Sequence, residues 1–347
     1  MSDHQITIAV DAMGGDNAPQ ITVEGVCRIT LESPARFVLV GDEGRINAEL
    51  KKHSGNKEQI RIVHTPDEIS MEDSPAAVIR QKPNASVTLA AKLLGEEKAD
   101  AMVSAGSTGA VILSSAMHIK RIPGVRRTAL GIIYPTLNVQ KRSNIFSLML
   151  DIGANVVNTS DDLVHFAYMG SRYKEKILKA NNPTVALLNI GAEKHKGNDT
   201  LKNAYKLLSS RSDMNFIGNI EGNELMSGKA DVVVTEGLAG NIAMKTMEGT
   251  SEAVRKFTVR AIKSSFIRKI AAGFLSGAIK DSMKIASYEE YGGAPLFGYE
   301  QPVIKAHGRS TPYAFGNALN VAIQAVENDL INITRESISR YESSKKQ

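Results

Sequence analysis

Cysteine is nearly absent: Cys27 stands alone among 347 residues. That excludes a disulfide framework and any zinc or iron–sulfur site built from cysteines. Cys27 lies in a helical pattern with no neighbouring histidine, so a catalytic thiolate is not expected. Histidines are few and scattered, without a His-Glu-x-x-His run, and His64, His118 and His165 each read as structural. No metal is expected. The nucleotide signatures are missing too. No Gly-x-Gly-x-x-Gly opens a helix after a strand with an acid further on, which disfavours a Rossmann dehydrogenase, and no Gly-x-x-x-x-Gly-Lys-Ser/Thr loop occurs. Long apolar runs are lacking as well. The longest uncharged stretch, Ala101 to Ile119, is rich in Ser, Gly and Thr and is not expected to span a bilayer. The opening Met-Ser-Asp-His-Gln has no basic region, and the first apolar run soon meets Asp11, so no signal peptide is expected. There is no internal repeat and no Pro/Ser/Gly linker. The chain reads as one catalytic α/β unit over residues 1–334, or two packed lobes, followed by a polar, frayed tail over 335–347.

What is present begins with a charge asymmetry. Hydrophobic residues make up 42% of the chain and charged residues 23%, and the formal net charge is +5. A basic balance usually raises nucleic acid as a partner, but the distribution argues against it. The segment 252–284 carries a net +6, and the remainder of the chain is −1. Within that segment Phe266, Ile267, Ile270, Ala271, Phe274, Leu275, Ala278 and Ile279 recur in pairs every four residues, an apolar helical stripe interrupted by Gly273 and Gly277. Lys263, Arg268, Lys269 and Lys280 flank it. A basic amphipathic insertion of this kind suits an anionic lipid surface, an acidic protein, or a dimer contact.

Short apolar runs recur, each ending in a small or polar residue. They are Ile6–Val10, Phe37–Val40, Ile60–Val63, Ala101–Val103, Leu130–Tyr134, Ile145–Leu150, Val185–Leu188, Phe216–Ile217 and Val232–Val234. Runs without alternation predict strands buried on both faces. Helical patterns lie between several of them, as at Arg45–His53, Ala76–Arg80 and Asp162–Ala180. The alternation predicts a three-layer α/β/α sandwich with a mainly parallel sheet. Ligands of such sheets sit beyond the carboxyl ends of the strands.

Five strand-end turns are rich in Gly, hydroxyl and charged residues. Asp11-Ala-Met-Gly14-Gly15-Asp16 and Ser104-Ala-Gly106-Ser107-Thr108-Gly109 offer backbone N–H groups for an anion. Asp151-Ile-Gly153-Ala-Asn155, Asn189-Ile-Gly191-Ala-Glu193-Lys194-His195-Lys196 and Glu236-Gly-Leu-Ala-Gly240-Asn241, with Lys245 beyond, add acids, amides and cations. All five are expected to converge on one sheet edge. Tight packing turns and helix caps are the plainer reading of each.

Taken in order, these motifs resemble the bacterial fatty acyl-acyl-carrier-protein:phosphate acyltransferase family. The resemblance rests on Asp-Ala-Met-Gly-Gly-Asp-x-Ala-Pro19, Ser-Ala-Gly-x-Thr-Gly-Ala110, Asp-x-Gly-Ala-Asn155, Leu-Leu-Asn-Ile-Gly-x-Glu-x-x-Lys-Gly197, Gly218-Asn-x-Glu-Gly222, Tyr291-Gly-Gly-Ala-Pro-Leu-x-Gly298 and Ala306-His307-Gly308-x-Ser310. It spans residues 6–325. Departures fall at Ser107, where the family usually has Asn, at Ala192, where it has Glu, and in Glu236–Asn241, where it has Asp-Gly-Phe-Thr-Gly-Asn.

The resemblance implies an isocitrate/isopropylmalate dehydrogenase-like or phosphate acetyltransferase architecture and no cofactor. It implies that phosphate attacks the thioester of an acyl-carrier protein, giving acyl phosphate for a membrane glycerol-3-phosphate acyltransferase. A homodimer at the inner face of the cell membrane, in the cytoplasm, is the setting it implies. On that reading Gly14, Gly15, Asp16, Ser104, Gly106, Ser107, Thr108, Lys194, Lys196 and Lys245 are candidates for holding phosphate. Asn155, Asn189 and Asn241 are candidates for stabilising the oxyanion, and Asp11, Asp16, Glu236 and His307 for orienting groups or protonating the leaving thiolate. Lys263, Phe266, Arg268, Lys269, Phe274, Leu275 and Lys280 would meet lipid or carrier protein. Alternatives are a short-chain phosphate acetyl- or butyryltransferase using coenzyme A, a non-catalytic scaffold at a lipid surface, and a metal-dependent decarboxylating dehydrogenase.

Overall fold

The computed structural model describes residues 5–70, 73, 81–138, 145–265, 268, 272, 277 and 293–345. The expected runs become strands β1 (Thr7–Asp11), β2 (Arg36–Gly41), β3 (Ile60–His64), β4 (Ala101–Ser104), β5 (Ala129–Pro135), β6 (Phe146–Leu150), β7 (Thr184–Leu188), β8 (Asn215–Ile220) and β9 (Val232–Val234). Two further strands, β10 (Ala294–Phe297) and β11 (Val303–Lys305), complete an eleven-stranded sheet among the described residues. The expected helix at Ala76–Arg80 lies outside the described residues.

The helices are α1 (Gln20–Ile29), α2 (Glu43–Leu50), α3 (Ser86–Gly95), α4 (Thr108–His118), α5 (Ser160–Lys176), α6 (Asp199–Ser209), α7 (Gly237–Lys263), α8 (Pro312–Glu327) and α9 (Leu330–Ser344). They form two layers because the strands bury both faces. Ala9, Val38, Met149, Ala186 and Val233 join one core with α3, α4 and Met244 of α7. Their strand neighbours Ile8, Val10, Phe37, Leu39, Leu148, Leu150, Val232 and Val234 face α1, α5, α8 and α9 on the other side. The three-layer α/β/α expectation therefore holds.

The sheet order is β3-β2-β1-β4-β11-β10-β5-β6-β9-β7-β8. β3, β2, β1, β4 and β11 are parallel. β10 runs against both β11 and β5, and β6 runs against β5. β6, β9, β7 and β8 are again mutually parallel. Three successive reversals turn the second half of the sheet over in direction. Strands of the first half thus end at one edge, and strands of the second half end at the opposite edge.

The tail differs from the expectation. Residues 335–344 continue α9, with Ile338 and Tyr341 buried against α5. Burying those two side chains outweighs the polarity of the rest of the helix.

Candidate active site

Beyond the first edge, three turns meet. Asp11, Ser104 and Lys305 are the last residues of β1, β4 and β11 and stand in register across the three strands. Asp11 is fully buried, and its carboxylate accepts from the hydroxyls of Ser86 and Ser104, each at 2.6 Å. Burial pushes its pKa up, against the pull of those two hydroxyls. Asp11 therefore anchors the strand ends beneath the turns. Gly14 is required because a Cβ there would strike the Asp11 carboxylate and lie 2.6 Å from the amide nitrogen of Gly106. Gly15 adopts φ +109°, a conformation open to glycine.

The Asp16 amide donates to the Gly308 carbonyl at 2.9 Å, and the Asp16 carboxylate lies 3.6 Å from Arg309 Nε. Gly106 N donates to Ser104 Oγ at 3.0 Å. Ser107 is the N-cap of α4 and makes no side-chain cap bond; Thr108 is the first helical residue. The turn after β11 presents His307 at the surface, with Arg309 N donating to its Nδ1 at 3.1 Å. Partial desolvation, and next the nearby Lys305 ammonium, hold His307 below its ordinary value. Lys245 and Glu248 of α7, paired at 3.1 Å, bias the same ring electrostatically.

The second edge carries the other turns. Asp151, at the end of β6, is buried and accepts from the amides of Leu130, Gly153, Ala154 and Asn155 at 2.9–3.1 Å. Asn155 Nδ2 donates to Asp151 at 2.7 Å and to Thr128 O at 2.7 Å. Both N–H groups of Asn155 are thus engaged within the turn. Asn241 Nδ2 donates to Ile152 O at 3.0 Å, and Asn189 Nδ2 donates to Lys196 O at 3.1 Å. Glu236 accepts from Asn198 Nδ2 at 2.9 Å. Lys194 lines a groove with His195, Lys202, Tyr205 and Lys206 along α6.

The five turns do not converge on one edge. The reversals at β10, β5 and β6 separate Asp11, Gly14, Gly15, Asp16, Ser104, Gly106, Ser107, Thr108 and His307 from Asn155, Asn189, Lys194, Lys196, Glu236 and Asn241. Lys245 belongs by sequence to the second group, but α7 carries it back toward His307. Lys305 and Ser86 were not anticipated. The one available signal was a lysine closing a short apolar run immediately before Ala306-His307-Gly308.

In the basic segment, Lys263 ends α7, and Arg268 donates to Ser264 Oγ at 2.8 Å. Phe266, Lys269, Phe274, Leu275 and Lys280 lie outside the described residues. Among the described residues no helix is long and apolar enough to cross a membrane, and no group of three or more His, Cys, Asp or Glu could hold a metal.

In fold, the chain resembles a phosphotransacetylase from Streptococcus pyogenes (TM-score 0.62, 16% identity, covering 94% of each chain). It also resembles the EutD phosphotransacetylase from Staphylococcus aureus (TM-score 0.58, 18% identity, 93% of this chain and 94% of that one). The family described as "Fatty acid synthesis protein" matches residues 6–333. Among curated relatives, a phosphate acyltransferase from Oceanobacillus iheyensis is 43% identical, over 96% of this chain and 99% of its own length. One from Bacillus pumilus is 42% identical over 96% and 98%. With the family matched along nearly the whole chain and these relatives aligned end to end, the protein belongs to the phosphate acyltransferase family.

Proposed function

We propose that the protein transfers a fatty acyl group from acyl-carrier protein to inorganic phosphate, releasing acyl phosphate and free carrier protein. The observation that carries this reading is the junction of three turns, 12–16, 105–109 and 306–310, above a buried lysine. Such a junction offers backbone N–H groups and positive charge to an anion, and it presents no activated serine or cysteine. Phosphate needs no such activation because it is already a charged oxygen nucleophile. A phosphate oxygen bonds to the thioester carbonyl carbon, and the tetrahedral oxyanion collapses as the C–S bond breaks. The departing thiolate takes a proton, and His307, exposed at this edge, is suited to relay to it the proton that the attacking hydrogen phosphate gives up.

The acyl donor and setting belong to the same reading. An acidic carrier protein complements the basic stretch of α7, where Arg255, Lys256, Arg260 and Lys263 are exposed. The same segment, with its apolar stripe, suits peripheral attachment of a homodimer to the cytoplasmic face of an anionic membrane. There the acyl phosphate would pass to a glycerol-3-phosphate acyltransferase.

Thiol release on adding inorganic phosphate tests the reaction. Long-chain acyl-carrier protein should release thiol in a phosphate-dependent way, and acetyl-coenzyme A should not. Release from acetyl-coenzyme A alone would move the assignment to a short-chain phosphotransacylase.

A further inference from the structure

We propose that Lys305 is a positioning residue for the phosphate-holding edge: its ammonium ties the turn after β4 to the turn after β11 and leaves a positive charge without a contacting counter-charge beneath the anion. The inference rests on the phosphate acyltransfer reading above and assigns a part of that site.

Lys305 is 7% exposed. Its Nζ donates to the carbonyl of Ala105 at 3.4 Å and to the carbonyl of Ala306. Those carbonyls belong to the first residues of the two turns, so one side chain fixes the spacing between them. The neighbouring acid does not meet it as a contact pair. Both oxygens of Asp11 are occupied by Ser86 and Ser104, and the hydrogen bonds of Lys305 run to carbonyls. Asp11 and Asp16 act on it at longer range. A buried cation with no contacting counter-charge is costly, and an arriving anion relieves that cost. A purely structural clamp needs no charge, because a neutral amide serves two carbonyls equally well.

Burial, opposed by Asp11 and Asp16, brings the ammonium down to about 8. The other charged groups around this edge are His307 and Arg309 on the same turn, and Lys245 and Glu248 on α7. His307 titrates below its ordinary value and so does not supply an alkaline transition.

The test compares wild type with Lys305→Met and Lys305→Arg, measuring phosphate KM and kcat across pH, with thermal midpoints with and without inorganic phosphate. In Lys305→Met, phosphate KM should rise about tenfold to a hundredfold with a smaller change in kcat. The midpoint gain that phosphate confers should shrink in that variant. In wild type, phosphate KM should climb above pH about 8. In Lys305→Arg that climb should move to higher pH, because the guanidinium keeps its proton. If Lys305→Met does not fold, the position of the alkaline limb in Lys305→Arg and wild type decides. A folded Lys305→Met with wild-type phosphate KM, or a limb that stays in place in Lys305→Arg, overturns the proposal. Wild-type enzyme that releases no thiol with phosphate overturns the reaction itself, and the phosphate-induced midpoint gain then still reports on Lys305.

Discussion

Single residues decide how tightly the two edges close. A Cβ at Gly237 would collide with the carbonyl of Asn155 and come 2.8 Å from the Asp151 carboxylate, whereas one at Gly249 meets nothing within 4 Å. Both glycines lie in α7. Gly237→Ala should therefore lower stability by about 1–3 kcal/mol through overpacking. Gly249→Ala should raise it by about 0.5–1 kcal/mol by removing a flexible residue from a helix interior. Urea denaturation of both variants checks the opposite signs. At this scale much was legible: the glycines and acids of the strand-end turns are where the sequence placed them. The roles of the amides were not legible. Asn155 reads as an oxyanion donor in the sequence, and only the packed turn reveals that Asp151 and Thr128 take both its N–H groups.

Among the elements, α9 shows where sequence reading stops. Its residues are polar on average, and Ile338 and Tyr341 are too sparse to announce a buried face. Their burial depends on partners from distant α5. There His165 Nε2 lies 2.8 Å from Glu342, and Tyr341 donates to Asp161 at 2.6 Å. Strands β10 and β11 escaped for related reasons. Pro295 interrupts one and Lys305 closes the other, and neither pattern separates a strand from a loop. The sense of each strand pairing is likewise invisible in a list of apolar runs, which is why one edge was expected where there are two.

The docking of α9 carries a pH dependence. Burial holds His165 below its ordinary value, with the Glu342 hydrogen bond opposing. The unfolded chain thus binds this proton more readily. The contribution is complete above about 6.5 and is lost as pH falls through the lower folded value. Thermal midpoints should decline from about pH 7 to about pH 5, and His165→Gln should flatten that portion of the curve. An unchanged slope in the variant would assign the decline to other groups.

For the whole molecule, charge is sorted rather than spread. The body is −1 and the segment 252–284 is +6. Its described part is largely exposed, including Phe257 at 70% and Val254 at 58%. Surface pairs such as Arg255–Glu252 at 2.7 Å hold side chains in place without hiding the charge. Binding to anionic vesicles should weaken as salt rises, since exposed charges are screened. Co-sedimentation of a Phe274→Glu, Leu275→Glu variant should fall well below wild type at every salt concentration. Undiminished binding would overturn the membrane reading of this segment.

The position of β11 governs the order in which the molecule can be completed during synthesis. It lies between β4 and β10, and Lys305 reaches Ala105 across a separation of 200 residues. A nascent chain can pair β1, β2 and β4 early, but their open flank waits until Val303–Lys305 leaves the ribosome. Such non-local closure makes for slow folding. The flank of β4 therefore stays open until the last strand of the sheet has been made.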